Sequence, residues 1–527
     1  MRIRPAPTIV AGAIAAAVTV VACVLLSPGG PKPNVPQAGA AARIRPDYSG
    51  LTLPPNIAPL NFRIMEPGSA YEVRVRSANG RPIRVHSRTG KIAIPRRRWR
   101  RLLDVNRGGE LHVDVYVRGD GGAWRRYDTM TSTIAGDEID PYLVYRSIEP
   151  AYNIYGQMGL YERDLESYRE DIVVHNSALD GGCVHCHTFC QNGTDAMLLH
   201  FRPGSFGAGM LLIRNGVAEK ARAQSAVNPL PAAYTTWHPS QRALAFSVNH
   251  VRVFFHSDRP EPREFIDMAS DLAIYELDSY SVTSTPAISS PDYMETWPRW
   301  SPDGEYLYFC RAPALWTELE PVPPERFADV RYSLMRIRYD LASGEWGELE
   351  TVLDGDAMGR SISQPRFSPD GRFLVFCMSD YSAYATFQPD ADLYLMDLRT
   401  GTHERLSCSS DHADSWHSWS SNGRWLVFSS KGGNGLFNRP YIAHVDADGR
   451  SSKPFVMPQR DPDFYLSHTR LFQTPELIKE PVRLKGERLA REIRSDKWVL
   501  DELPVTSATG KAGQKAGEAA PMWRSGG

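Results

Sequence analysis

The stretch Cys183-Val184-His185-Cys186-His187 is where this chain most plainly carries chemistry. It holds two of the seven cysteines, with Cys190 close behind. Two thiols three residues apart, followed at once by an imidazole, form the attachment pattern of a c-type haem. On a helical turn both thiols lie on one side and reach the two vinyl groups of one haem as thioethers. His187 then projects to the iron as proximal ligand. The sixth iron position sets the chemistry: Met raises the potential, His lowers it, and an open site binds small ligands. DAMLLHFR (195–202) offers His200 first and Met197 second. On a strand these two face opposite sides, and on a helix they share one. Met158 and His238 are further candidates, and Tyr152, Tyr155 and Tyr161 can line a haem edge or pack a core.

Other chemistries use the same residues. Cys183, Cys186, His187 and Cys190 make a Cys₃His zinc set, although four ligands within eight residues strain a tetrahedron. An iron–sulfur cluster needs a fourth thiolate, from Cys310, Cys377 or Cys408. A disulfide within the cluster is the third option. Asp411, His412, Asp414 and His417 group in DHADSWHSW as a second metal candidate, with turn and strand-pairing duty the plainer reading. No nucleophile elbow, His-Glu-x-x-His or phosphate loop occurs.

The compartment agrees with covalent haem. Arg2 and Arg4 precede an uncharged apolar run over 9–26, just long enough to span a bilayer. Residues 1–26 read as an anchor or signal that leaves the body outside the cytoplasm, tethered to the inner membrane and facing the periplasm. A lipoprotein attached at Cys23 and a cleaved signal are the variants. Lys and Arg number 60 against 61 Asp and Glu, which gives no basic excess for nucleic acid.

The elements that must hold the cluster are mostly β. Residues 27–49, rich in Pro, Gly and Ala, read as a linker. Over 50–140, period-two runs such as YEVRVRS and LHVDVYVRG alternate with Gly-rich turns, which predicts a β-sandwich. RRRWRR (96–101) interrupts as a helical turn around Trp99, a solvated face or a contact for anionic lipid. Residues 141–195 show tyrosines and acid–base pairs at helical spacing and read as a short helical connector carrying the haem motif. Then WHPSQRALAFS (237–247), WSPDGEYLYFC (300–310), FSPDGRFLVFC (367–377) and WSSNGRWLVFS (419–429) repeat one pattern: aromatic, polar turn, alternating strand. Each such unit leaves an apolar face that radial repetition buries, so 196–482 is predicted to be a β-propeller of about six blades. MLLHFRPGSFGAGMLLIRNG (197–216) supplies further strands, and 463–477 closes the ring or adds a blade. Residues 483–527 read as a C-terminal helix and a disordered tail.

The Ser-Pro-Asp-Gly repeats resemble the propeller of TolB-like proteins, over about half the chain. WHSWSSNGRWLVFSSKGGNGLFNRPYIAHVDADG with KPFVMPQRDPDFY resembles a narrower bacterial group that joins an N-terminal β domain, a Cys-x-x-Cys-His motif and this propeller. The resemblance implies an architecture and one haem c, not a reaction. The function expected is that of an extracytoplasmic c-type haem protein in electron transfer, its propeller a platform for a redox partner or complex subunit. An interaction scaffold with structural or absent haem, and a peroxidase-like enzyme, are the alternatives.

Overall fold

The computed structural model describes residues 31, 35–150, 157–202, 207–222, 231–259, 261–317, 320–498 and 505–507, all but the side chains of His185 and 505–507. The expected anchor at 1–26, Tyr152, Tyr155 and the far C-terminal tail lie outside them. Among the described residues no helix is long and apolar enough to cross a membrane.

The chain is all-β and its larger part is a propeller of six blades. Four blades follow the repeats. Blade 3 is built from Ala232–Trp237, Ala243–Phe255, Arg263–Glu276 and Ser281–Thr283, blade 4 from Tyr293–Trp300, Tyr306–Pro313, Ser333–Asp340 and Glu345–Leu353. Blade 5 runs Ser361–Phe367, Phe373–Ser379, Asp392–Asp397 and Thr402–Arg405, and blade 6 Asp414–Trp419, Trp425–Ser430, Arg439–His444 and Phe455–Val456. Each repeat spans the end of an innermost strand, the polar turn and the start of the second strand. Within the turn, Ser301 and Ser368 close onto Asp303 and Asp370, while Gly304 and Gly371 take φ of +80° and +72°.

The helical connector over 141–195 is not found. Tyr142–Ile148, Met158–Asp164 and Glu170–His175 are antiparallel strands, joined by the late strand Leu471–Ile478 as blade 1. Cys183–Cys190, Gly193–Arg202, Gly209–Arg214 and Val217–Ala221 form blade 2. The propeller therefore begins at 142 rather than 196. Acid–base pairs that looked helical fall in and beside strands, Glu162 and Arg163 buried within Met158–Asp164, and one short 3₁₀ turn, Asn176–Leu179, is all the helix among this segment's described residues. Packing between neighbouring blades overrides so weak a local preference. The 471–478 strand occupies the innermost place of blade 1, so residues more than three hundred apart in sequence zip the ring shut.

The sandwich stands, with earlier bounds. Gln37–Ala41 pairs with Trp124–Asp128 and Ile44–Arg45 with Phe62–Ile64, so half of the expected linker is structural. A seven-stranded and a three-stranded sheet share a core with the helix Arg96–Asp104, where Trp99 is buried and donates to the Ile57 carbonyl at 3.0 Å. That core continues into Trp425, Ile442 and Phe455, docking the sandwich on blade 6. The C-terminal helix is Glu487–Arg494, which buries Leu489 and Ile493 against blades 1 and 2.

Candidate functional site

The six innermost strands share one irregularity. In each, the strand advances three residues while its neighbour advances two: between Val184 and His187, Ala233 and Thr236, Thr296 and Arg299, Ser363 and Arg366, Ser415 and Ser418, and Gln473 and Glu476. Tyr234, Trp297, Gln364, Trp416 and Thr474 open their bulges at φ between 48° and 57°, a region side chains seldom adopt. A bulge re-aims the residues around it, and here six bulges turn side chains toward the propeller axis. Pro298, Pro365 and Pro475 sit second in three of them. A proline inside a strand marks a bulge, and this signal, visible in TWPRW, SQPRF and QTPEL, was missed from sequence.

The Cys-x-x-Cys-His segment is the bulge of blade 2. Cys186 holds the position of Pro298, Pro365 and Pro475. His187 holds that of Thr236, Arg299, Arg366, Ser418 and Glu476. The motif thus lies on the axis, on a strand rather than a helical turn. Alternation on this strand puts Val184 and Phe189 into the core shared with blade 1, and Cys190 into the core shared with blade 3. Cys186 turns to blade 3, where the Tyr234 amide favours its thiolate. His187 turns to blade 1, near Glu476 and Arg146.

His187 is 3% exposed, and neither ring nitrogen forms a hydrogen bond among the described residues. Burial pushes its pKa down to about 4, helped by Arg146 and Arg366. Glu476 opposes the shift, as does the Val144 carbonyl, which is near but outside hydrogen-bonding geometry. A buried polar group without a partner costs about 1–3 kcal/mol. Cys183, Cys186 and Cys190 are buried and unbridged. Burial raises Cys183 and Cys190 to about 11, and Cys186 in the same direction.

Of the other candidates, His200 lines the axial chamber with Cys186 and His187, and its Nε2 shares a hydrogen bond with Thr235 Oγ1 at 2.8 Å. Met197 faces the opposite way, into the core with blade 1, as expected for a strand. Met158 is buried in blade 1. His238 is occupied by Ser240 at 2.7 Å and the Gly304 carbonyl at 3.1 Å. Tyr161 stacks on Tyr145 at 6.1 Å. The Asp411 group separates: Asp411 and His412 are exposed, Asp414 binds the Ser410 amide, and His417 binds the Val375 carbonyl at 3.0 Å. Among the described residues no three His, Cys, Asp or Glu converge on a metal position.

In kind, the donors fit a c-type haem: two unbridged thiols and an unpartnered buried imidazole within five residues. In arrangement they depart from a helical turn, because Cys186 and His187 face different blades. The chamber against them measures about 40 Å³, enough for a few waters and far below the roughly 300 Å³ at which ligand pockets begin. Segments adjoining the Cys183 end of the strand by connectivity (151–156, 203–206 and 223–230) lie outside the described residues. At the other end, past Arg299 and Arg366, the chamber leads to a funnel of about 320 Å³.

No family model and no curated protein matches the chain. Among solved structures, it is similar to an oligogalacturonate lyase in complex with manganese (13% identity, TM-score 0.34), covering 59% of this chain and 73% of that one. A hydrazine synthase from Kuenenia stuttgartiensis matches at 11% and TM-score 0.31, over 54% and 70%. A putative 6-phosphogluconolactonase from Bacteroides fragilis NCTC 9343 matches at 11% and TM-score 0.32, over 61% and 97%. Likeness at this level carries no argument about activity.

Proposed function

We propose that this chain is an exported, membrane-tethered propeller that carries one haem c at its axis and serves in electron transfer, docking a redox partner or complex subunit. One observation carries the reading: His187, buried with both ring nitrogens unbonded, sits between unbridged thiols on the innermost strand of blade 2. Cys183 and Cys186 would hold the porphyrin and His187 the iron. A haem there supplies one-electron exchange. The protein's own part is to bury the group and shield it from water, which favours electron transfer over side reactions. Buried thiols raised to about 11 hold little thiolate at neutral pH. Attachment would therefore precede the seating of blade 2, and a bound haem would need more room than the chamber's volume of about 40 Å³.

The test is mass spectrometry of peptides spanning 176–203 from protein exported alongside cytochrome-maturation machinery, with a reduced visible spectrum. One added haem and sharp α and β bands are expected. An unmodified mass, with the thiols free or bridged, overturns the proposal. The scaffold alternative has its own observation, the small chamber, and predicts partner capture unchanged when Cys183, Cys186 and His187 are all replaced.

A further inference from the structure

The opposite end of the axis is built differently. Where blades 4 and 5 place their third bulge residue, Arg299 and Arg366 line both the chamber and the funnel. Arg366 donates through Nη2 to Glu476 Oε1 at 3.3 Å. Arg299 has no such partner: its Nε is shut from solvent, and its guanidinium forms no hydrogen bond or ion pair among the described residues. Some half-buried arginines of the propeller are matched to carboxylates, as Arg311 to Glu295 and Arg372 to Asp397, while Arg202 and Arg331 share with Arg299 a buried Nε without a partner; of these three, Arg299 alone lines the funnel. Lys479 stands exposed at the funnel wall, its side chain unpaired among the described residues. Three cations thus line the funnel against one lining carboxylate, Glu476, which is already engaged by Arg366 and by the Phe189 amide at 3.0 Å, while the buried Asp140 behind Ser421 also reaches Lys479 with its charge. Trp237, Trp300 and Trp419 supply apolar wall, and the funnel's volume lies in the range of small-ligand sites.

We infer that the funnel binds a small molecule with an oxyanion head, a carboxylate or a phosphate, with the head at Arg299 and the body against the tryptophans. Arg299 is half-buried, with its Nε shut in and the rest of its guanidinium open to the funnel; a partly desolvated charge without a counter-charge is under-compensated, and its planar fork matches an oxyanion in two parallel bonds. The inference does not rest on haem, which would attach at the other end of the strand.

The experiment is isothermal titration of the exported full-length chain with inorganic phosphate and, separately, succinate, at low and at physiological salt. Saturable binding of one probe is expected, and which probe binds assigns the head group. Arg299→Gln is expected to weaken it about tenfold or more, the loss of one charge-assisted pair. Glu476→Gln removes the competing carboxylate and is expected to tighten binding severalfold. Should Arg299→Gln fail to fold, exposed Lys479→Gln takes its place, with a weakening of about two- to fivefold that shrinks with added salt. Absence of saturable binding by both probes overturns the inference. So does affinity unchanged in Arg299→Gln, or in Lys479→Gln where that variant decides.

Discussion

Glu476 is the side chain on which ring closure turns. It lies on the last strand of the propeller, is 6% exposed, and accepts from blade 2 through the Phe189 amide and from blade 5 through Arg366. One carboxylate of blade 1 therefore ties two other blades across the axis. Glu476→Ala leaves the Phe189 amide buried without an acceptor, at about 1–3 kcal/mol. It also strips Arg366 of its partner. Losing one member of a fully buried pair costs about 3–5 kcal/mol, but the Arg366 side chain is 26% exposed, so water screens the loss to about 1–2. The expected total is about 2–5 kcal/mol. Glu476→Gln keeps an oxygen for the amide and loses the charge, for about 1–2. Urea unfolding followed by circular dichroism, with matched m-values, measures both. A cycle with Arg366→Ala isolates the ion pair, with an expected coupling of about 1 kcal/mol or more. A Glu476→Ala protein within about 0.5 kcal/mol of the parent would refute the account of closure.

Three further outcomes follow from the same structure. Burial raises Asp414 to about 7 and lowers His417 to about 3. The Asp414 contribution is full below its unfolded pKa and lost as pH rises through 7, whereas that of His417 is full above its unfolded pKa and lost as pH falls. Between pH 4 and 6.5 the two oppose at about 1.4 kcal/mol per unit each, so the gap in stability between parent and His417→Gln should widen by about that slope as pH rises; parallel curves refute it. A Cβ at Gly355 would meet the Tyr332 carbonyl at 2.4 Å and that of Arg360 at 2.7 Å, while one at Gly359 meets nothing within 4 Å. Gly355→Ala should thus cost more than Gly359→Ala, whose only burden is a φ of +65°, about 1–2 kcal/mol; equal unfolding midpoints would contradict this. The six described thiols, all buried, should resist an aromatic disulfide reagent at pH 7.5 in the native protein and react fully in denaturant, or about four of them where two carry thioethers. Rapid labelling of the folded state would refute the burial of Cys183 and Cys186.

What the sequence disclosed, and what it hid, follows from how local each signal is. Four blades were legible because their turns impose positive φ at fixed places, through Asp-Gly or Asn-Gly in blades 4 to 6 and Gln241 in blade 3, a constraint satisfied within a few residues. Blade 1 was hidden because its innermost strand comes from 471–478, and nothing local to Tyr142–Ile148 names a partner so distant. Blade 2 was legible in part, through the strands read over 197–216, but its innermost strand was hidden by its own chemistry. Cys186 stands where blades 1, 4 and 5 place proline, and the eye that reads Cys-x-x-Cys-His as a helical turn does not align it with Trp-Pro-Arg and Gln-Pro-Arg. Once aligned, the six positions His187, Thr236, Arg299, Arg366, Ser418 and Glu476 form a single ring, of which Arg366 and Glu476 satisfy one another. Of the remainder, His187, Thr236 and Arg299 keep buried polar atoms without partners. Thr188, Gln364, Trp416 and Thr474 add further unbonded buried polar atoms along the same chamber, so a group or water seated on the axis has several donors and acceptors to satisfy rather than two isolated ones.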